Sequence, residues 1–213
     1  MEPTGAAENL QVIRTLMERS ALYRRAMAPV MLAAGLFGVA GWGLGNALGF
    51  RTGGACMALW YGIAALTIAV ALLIIRRQAL RSDEAFWTPP TKRIVRAMTP
   101  PLVVGMLVEL FDFRLRQDFW DGPPVALWML LYGLALHSAG MFISRGVRGL
   151  GWLFIIAFLA HIPAHNYAPL FLEDGWLQPN AQMGLTFGLL HLIAAAYLFL
   201  TERRGQAAQS SAV

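Results

Sequence analysis

Cysteine and charged residues are both scarce in this chain of 213 residues. Cys56 is the single cysteine, which excludes an intrachain disulfide and a metal cluster built from the cysteines of one chain. Charged residues make up 14% of the chain, whereas soluble domains carry about 25%. Hydrophobic residues make up 57%. The composition therefore argues against an ordinary soluble domain and indicates a protein embedded in lipid.

Signals for cleavage and for nucleotide binding are lacking as well. The first 26 residues contain glutamates and arginines without an apolar core, so we do not predict a cleavable signal peptide. The glycine-rich run that begins at Gly41 lies inside an apolar segment and lacks the strand-to-helix context of a nucleotide site. No nucleophilic triad or P-loop is present in the sequence.

Six apolar runs are long enough to cross a membrane as helices, which takes about 20 residues. We predict an all-α bundle over residues 27–200, with spans at about 28–48, 56–75, 97–113, 124–143, 150–171 and 181–200. Residues 1–26 are predicted to form an amphipathic helix, cytoplasmic or on the membrane surface, because apolar residues recur at three- and four-residue spacing. Residues 201–213 are expected to form a disordered cytoplasmic tail.

Two proline pairs lie near the start of the third span. We expect Pro89–Pro90 to break any helix and Thr91 to cap a short helix that begins at Lys92. Pro100–Pro101 is expected to interrupt the start of the span itself.

Basic residues are concentrated in alternate connections between the spans. If the N-terminus is cytoplasmic, the outer connections hold only Arg51, Arg114 and Arg116 of the 17 Lys and Arg residues. Short cytoplasmic loops are enriched in Lys and Arg, so we predict cytoplasmic N- and C-termini in a bacterial inner membrane. Trp60 and Trp128, near outer span ends, are interpreted as members of an interfacial aromatic belt.

The largest group of basic residues lies between the second and third spans. It comprises Arg76, Arg77, Arg81, Lys92, Arg93 and Arg96. Basic segments beside a span attract anionic lipid headgroups, so we predict a docking surface for membrane lipid or for an acidic partner. The alternative is that these charges only set the topology. Because the net charge of +5 is divided among loops and is not gathered on one face, we do not predict nucleic acid binding.

Six ionisable side chains fall in or at the edge of predicted spans, where such groups are costly and often functional. They are Glu109, Asp112, His137, His161, His165 and His191. We interpret them as candidate ligand- or proton-binding residues, since imidazole titrates near physiological pH. From the helical rise, His161 and His191 lie near the midplane, and Glu109 could share the depth of His165.

Three of the histidines also form a candidate metal site, namely His161, His165 and His191. Imidazoles four residues apart, with a carboxylate from another helix, are donors that zinc accepts, and a haem would need two facing imidazoles. Pro163 leaves a carbonyl without its helical partner beside them, as in the discontinuous helices of transporters. The alternative is that each histidine only hydrogen-bonds a neighbouring helix.

Gly41, Gly45 and Gly49 recur at intervals of four in and just after the first span. Such a ridge of small residues allows another helix to approach closely. We predict a partner helix within the chain, with a second copy of the chain as the alternative.

Four stretches resemble a group of small multi-span bacterial inner-membrane proteins. They are VIRTLMERS (Val12–Ser20), RRQALRSDEAFWTPPTKRIVRAM (Arg76–Met98), LLYGLALHSAGMF (Leu130–Phe142) and LGWLF (Leu150–Phe154). The resemblance implies an inner-membrane protein and brings no activity with it. The HIPAH segment, which holds His161 and His165, is not part of that pattern.

The leading functional hypothesis is binding or transport of a small solute, ion or proton by Glu109 and the histidines. One alternative is a membrane metalloenzyme or a haem- or metal-binding protein that uses the histidines of the fifth and sixth spans. Another is a non-catalytic structural or regulatory subunit. We assign no catalytic residue and favour a function other than that of an enzyme. The sequence requires no cofactor, although zinc or haem is compatible with it.

Overall fold

The chain is mostly helical in the part that the structure describes. The computed structural model describes residues 27–50, 53–83, 85–115, 124–167 and 178–210, with side chains described in 27–50, 54–83, 85–111, 125–163 and 178–201. No β-strand occurs within these ranges. The predicted all-α class is confirmed, whereas the predicted N-terminal amphipathic helix lies outside the described residues.

The described ranges contain six helices in succession. They are α1 Met27–Ala47, α2 Gly53–Arg81, α3 Pro89–Leu115, α4 Pro124–Gly140, α5 Arg145–Tyr167 and α6 Pro179–Ser210. Helix α6 has three continuous parts: the α-helical turn Pro179–Met183, the π-helical segment Gly184–Leu190 and the α-helical segment His191–Ser210. Consecutive helices run antiparallel to each other. The ends of α1, α3 and α5 therefore meet the starts of α2, α4 and α6 at one end of the bundle, which we call the α1–α2 end.

Five of the six described helices are long and apolar enough to cross a membrane, namely α1, α2, α3, α5 and α6. Helix α4 is shorter, with 17 residues. Because a span takes about 20 apolar residues, helices of this length and composition are those of an integral membrane protein. The count of six spans, the inner-membrane location and the orientation of the termini stay predictions.

Helices α4 and α5 pack backbone to backbone. A Cβ placed on Gly151 would lie 2.5 Å from the backbone nitrogen of His137, and one placed on Gly133 would lie 2.9 Å from the carbonyl oxygen of Gly151. At the turn between the helices, a Cβ on Gly140 would lie 2.5 Å from the nitrogen of Arg148. Small residues therefore set the spacing of this pair, and the fully buried Phe154 fills the core beside it.

Helices α1 and α6 form a second close pair. A Cβ on Gly38 would lie 2.6 Å from Cα of Gly188, and a Cβ on Gly184 would lie 2.5 Å from the ring of Trp42. Gly38 and Trp42 are four residues apart on α1, so they lie on one face of that helix. This pair brings the end of α1 against the start of α6.

Helices α2 and α3 lie at the periphery of the chain. Only 6% of the most apolar stretch of α2 and 11% of that of α3 are buried, against 33% for α1 and for α6. Large apolar side chains such as Leu73 and Phe111 are exposed on them. These two helices therefore have most of their surface available to lipid or to another protein.

Two helix boundaries differ from the sequence expectations. Pro89–Pro90 does not break a helix but occupies the first turn of α3, where a missing N–H costs nothing. Thr88 caps that turn, since its Oγ1 accepts a hydrogen bond from the backbone N–H of Thr91 at 3.5 Å. At the other end of the chain, α6 runs to Ser210, so residues 201–210 of the expected tail are helical.

Candidate functional site

Glu109 lies in the seam between α3 and α4, towards the α1–α2 end. It is only 6% exposed. Gly105, one turn earlier, is also buried, whereas Met106 and Leu110 on the adjoining faces are exposed. The helical period therefore turns the carboxyl of Glu109 inward, away from the apolar side of α3.

Two aromatic side chains from neighbouring helices donate hydrogen bonds to Glu109. The Tyr61 hydroxyl on α2 and the Trp128 Nε1 on α4 both donate to Oε2, the latter at 2.5 Å. No basic side chain pairs with Glu109 among the described residues. The carboxyl is thus buried in a membrane-compatible helix, and its partners among the described side chains are neutral. An ionisable group in such a setting is costly.

Gly105 explains how Trp128 reaches the carboxyl. A Cβ on Gly105 would lie 3.1 Å from Cη2 and Cζ3 of the Trp128 ring, so the ring rests directly on the backbone of α3. Because Gly105 and Glu109 are one turn apart on the same face, a ring seated on the glycine has its N–H near the carboxylate. The G-x-x-x-E spacing in α3 therefore forms a groove with an acceptor at one end.

A second polar junction lies at the start of α6, around the fully buried Asn180. Its Oδ1 accepts a hydrogen bond from Trp60 Nε1 at 3.1 Å, and its Nδ2 donates to the carbonyl of Trp42 at 3.1 Å and to Oδ1 of Asn46 at 3.0 Å. A Cβ on Gly45 would lie 2.5 Å from the Asn180 amide. Asn180 therefore joins α1, α2 and α6 through three hydrogen bonds.

The two junctions meet on α2 at the adjacent residues Trp60 and Tyr61. Neighbouring residues of an α-helix point about 100° apart. Trp60 therefore reaches Asn180 on α6 while Tyr61 reaches Glu109 on α3. This dipeptide ties the peripheral helix α2 to both sides of the bundle.

His191 lies in an aromatic cluster deeper in the bundle. It is 2% exposed, and its Nε2 lies 2.9 Å from the Tyr132 hydroxyl. Ring centroids of Phe154 and Phe187 lie 5.5 Å and 6.3 Å from the imidazole. The imidazole is thus held by one hydrogen bond to a hydroxyl and by three aromatic rings from α4, α5 and α6.

Helix α4 carries a partner of Glu109 and a partner of His191. Trp128 contacts Glu109, and Tyr132, one turn later on α4, contacts His191. Four residues of α-helix span about 6 Å. Glu109 and His191 therefore have hydrogen-bonding partners on neighbouring turns of α4, but they do not share a partner.

The π-helical segment Gly184–Leu190 directly precedes His191. Its glycines Gly184 and Gly188 face α1, as described above, and the Thr186 hydroxyl donates to the carbonyl of Gln182 at 2.7 Å. Short π-helical segments occur frequently at functional sites. Here the segment sets the rotation at which α6 presents the imidazole to Tyr132.

The remaining predicted site residues are dispersed or lie outside the described side chains. His161 is buried on α5, and His137 is half-buried on α4 with its ring edge-on to Trp152 at 5.3 Å. The backbone of Asp112 and of His165 is helical, but their side chains lie outside the described part. Among the side chains that are described, no group of three or more His, Cys, Asp or Glu residues is placed to hold a metal ion. The metal site that would use His165 stays a prediction.

The three glycines of the proposed ridge have different surroundings. A Cβ on Gly41 would lie 2.1 Å from Cδ1 of Ile63 on α2, whereas Gly45 faces Asn180 on α6. A Cβ on Gly49 would have no described atom within 4 Å, and Gly49 adopts φ +72°, the left-handed conformation that favours glycine after a helix end. Gly41 and Gly45 thus contact two different helices of this chain, and Gly49 serves the turn.

Sequence reasoning did not identify the hydrogen-bonding partners. Tyr61 and Asn180 were not singled out, and Trp128 was interpreted as a belt residue. Available signals were a glycine one turn before a buried acid and an asparagine next to a helix-starting proline. No family model, curated protein or solved structure matches the chain, so the site is interpreted from its own geometry.

Proposed function

We propose that the protein binds and transports a proton or a small cation across the membrane, with Glu109 as the exchanging group. The observation that carries the proposal is a buried carboxyl with two neutral donors and no basic partner among the described residues. Acidic residues inside membrane helices are rare, and they commonly mark ion or proton pathways. A carboxyl without an ion-pair partner can gain a proton, or exchange it for a cation, without breaking a salt bridge.

The two donors position the carboxyl and limit its solvation. Both hydrogen bonds go to Oε2, which leaves Oε1 as the oxygen that takes the proton or cation. The two donors thus hold Oε2 in place, and we assign the exchange step to Oε1.

His191 is the second titratable group of the proposed pathway. Its bond to Tyr132 lies one turn from the Trp128 contact on α4, or about 6 Å along the helix. Imidazole can take up a proton on one nitrogen and release it from the other. We infer that His191 extends the route from Glu109 towards the middle of the bundle.

Helix α3 is the proposed moving element. Pro100 and Pro101 lie inside it and have no N–H, so the carbonyls of Arg96 and Ala97 lack their usual helical partners. Proline is a common cause of helix kinks, and α3 is largely exposed on its outer side. A swing of the α3 segment beyond the prolines would part Glu109 from Trp128 and open the carboxyl to water.

The proposal is tested with the full-length protein in liposomes that contain the pH-sensitive dye pyranine. A potassium diffusion potential set with valinomycin supplies the driving force, and the luminal pH is recorded. We expect a pH change with the natural protein and none with Glu109→Gln. Asp83→Asn is the matched control, since Asp83 is an exposed acid at the end of α2 with φ 50°, a conformation that asparagine tolerates.

A structural role for Glu109 would give a different outcome. Glutamine keeps an oxygen that can accept both hydrogen bonds, so Glu109→Gln is expected to fold. Equal flux with the natural protein and the folded variant would contradict the proposal. It would leave the Tyr61–Glu109–Trp128 contact as a tie between helices.

A further inference from the structure

The adjoining ends of α2 and α3, on either side of the turn between them, carry a basic surface that has no partner within the described chain. We call it the basic turn surface; it comprises the exposed residues Arg76, Arg77, Arg81, Lys92, Arg93 and Arg96. None of these six side chains forms an ion pair or a hydrogen bond with another described residue. The described acidic residue of the turn is Asp83. The surface therefore holds a large excess of positive charge that nothing described in the chain offsets.

The turn itself is ordered by local hydrogen bonds. The hydroxyls of Thr88 and Thr91 lie 2.8 Å apart, and the Thr91 hydroxyl donates to the carbonyl of Phe86 at 3.2 Å. The Phe86 and Trp87 rings stack with centroids 6.3 Å apart, and Trp87 is 54% exposed. The basic side chains thus project from the last turns of α2 and the first turns of α3, on either side of these hydrogen bonds.

The placement of charge at the start of α3 is unfavourable by itself. Lys92 and Arg93 follow Pro89–Pro90 after Thr91, and the first turn of α3 holds no acidic residue. Cations near a helix N-terminus oppose the helix dipole, which favours anions there. A bound anion at this position would offset both the like-charge repulsion and the dipole.

The neighbouring apolar surface indicates which anion fits. Leu80 is 70% exposed beside Arg81, and the exposed Trp87 follows in the same turn. Tryptophan and exposed leucine beside arginine are typical of the boundary between hydrocarbon and headgroups. We propose that the basic turn surface binds the headgroups of anionic phospholipids, with Trp87 in the interface beside them.

The test uses the full-length protein in vesicles that contain brominated lipid, which quenches nearby tryptophan. Brominated phosphatidylglycerol and brominated phosphatidylcholine are compared at the same mole fraction. The signal of Trp87 is the difference between the natural protein and Trp87→Phe. We expect stronger quenching of Trp87 by the anionic lipid, with a preference that falls as salt is added.

Charge variants connect the preference to this surface. Lys92→Gln/Arg93→Gln should reduce the preference for the anionic lipid, by up to about fivefold per charge at low salt. Arg145→Gln is the matched control, because Arg145 is an exposed basic residue of the α4–α5 turn at the same end of the bundle. Equal quenching of Trp87 by the two lipids would overturn the proposal. The proposal would also fail if Lys92→Gln/Arg93→Gln kept the preference for the anionic lipid, or if Arg145→Gln removed it.

Discussion

Asn180→Ala tests the junction of α1, α2 and α6. The variant removes three hydrogen bonds from a fully buried side chain, those with Trp60, with the carbonyl of Trp42 and with Asn46. Hydrogen bonds between membrane helices contribute about 0.6 kcal/mol on average and up to about 1.7 kcal/mol. Three such bonds sum to about 2 kcal/mol, with an upper bound near 5 kcal/mol. We therefore expect Asn180→Ala to lower the free energy of unfolding by about 2 kcal/mol or more.

The assay is reversible unfolding by sodium dodecyl sulfate in mixed micelles, followed by helical circular dichroism. Asn46→Ala removes only one of the three bonds and should cost roughly 0.6 kcal/mol. A double-mutant cycle of Asn180→Ala with Trp60→Phe isolates the bond of 3.1 Å between these two side chains. A loss for Asn180→Ala no larger than that for Asn46→Ala, together with no coupling to Trp60, would refute the reasoning.

Three further predictions concern helix packing and the buried rings. Gly151→Ala should lower the free energy of unfolding by about 1–3 kcal/mol, because its Cβ would lie 2.5 Å from backbone of α4; Gly149→Ala, which has nothing within 4 Å, should be neutral or slightly stabilising in the same assay. Gly105→Leu should displace the Trp128 ring and so change the fluorescence of Trp128. That signal is obtained as the difference between proteins with and without Trp128→Phe. An unchanged Trp128 spectrum would argue against the groove. Tyr132→Phe should cost about 1–2 kcal/mol in thermal or detergent unfolding, since it deprives a buried imidazole of a partner, and a neutral result would mean that this bond contributes nothing.

The helices were predictable because hydropathy and length determine which segments can span a membrane. The uninterrupted apolar run of α2 makes it evident from the sequence. Helix α3 was harder, because proline has two opposite effects. Pro89–Pro90 is tolerated in a first helical turn, and Pro100–Pro101 lies within a helix that continues through it. Neither pair ends the helix, and the start of α3, which decides that Pro89–Pro90 falls in a tolerated first turn, is not known from the sequence.

The site was predictable only where a single residue is exceptional. Glu109 stands out because a carboxyl inside an apolar run is costly wherever it points. Its partners depend on how α2, α3 and α4 are rotated about their axes, which composition does not determine. Trp128 illustrates the difficulty: a tryptophan near a span end fits an interfacial belt as well as a buried donor.

The same limit applies to the histidines. Spacing placed His161 and His191 at similar depth, but depth does not establish contact. The structure pairs His191 with Tyr132 and surrounds it with aromatic rings. An imidazole bonded to a neighbouring helix was the alternative to a metal ligand, and the described geometry of His191 has that form.

Infrared titration of the carboxyl groups tests the central claim most directly. The full-length protein is placed in lipid nanodiscs, and the carbonyl band of protonated carboxyl groups is followed as the pH is changed. If Glu109 exchanges a proton, the natural protein and Asp83→Asn will share a titrating band that Glu109→Gln lacks. Identical titrations for the natural protein and Glu109→Gln would show that Glu109 keeps one protonation state, which would contradict the account.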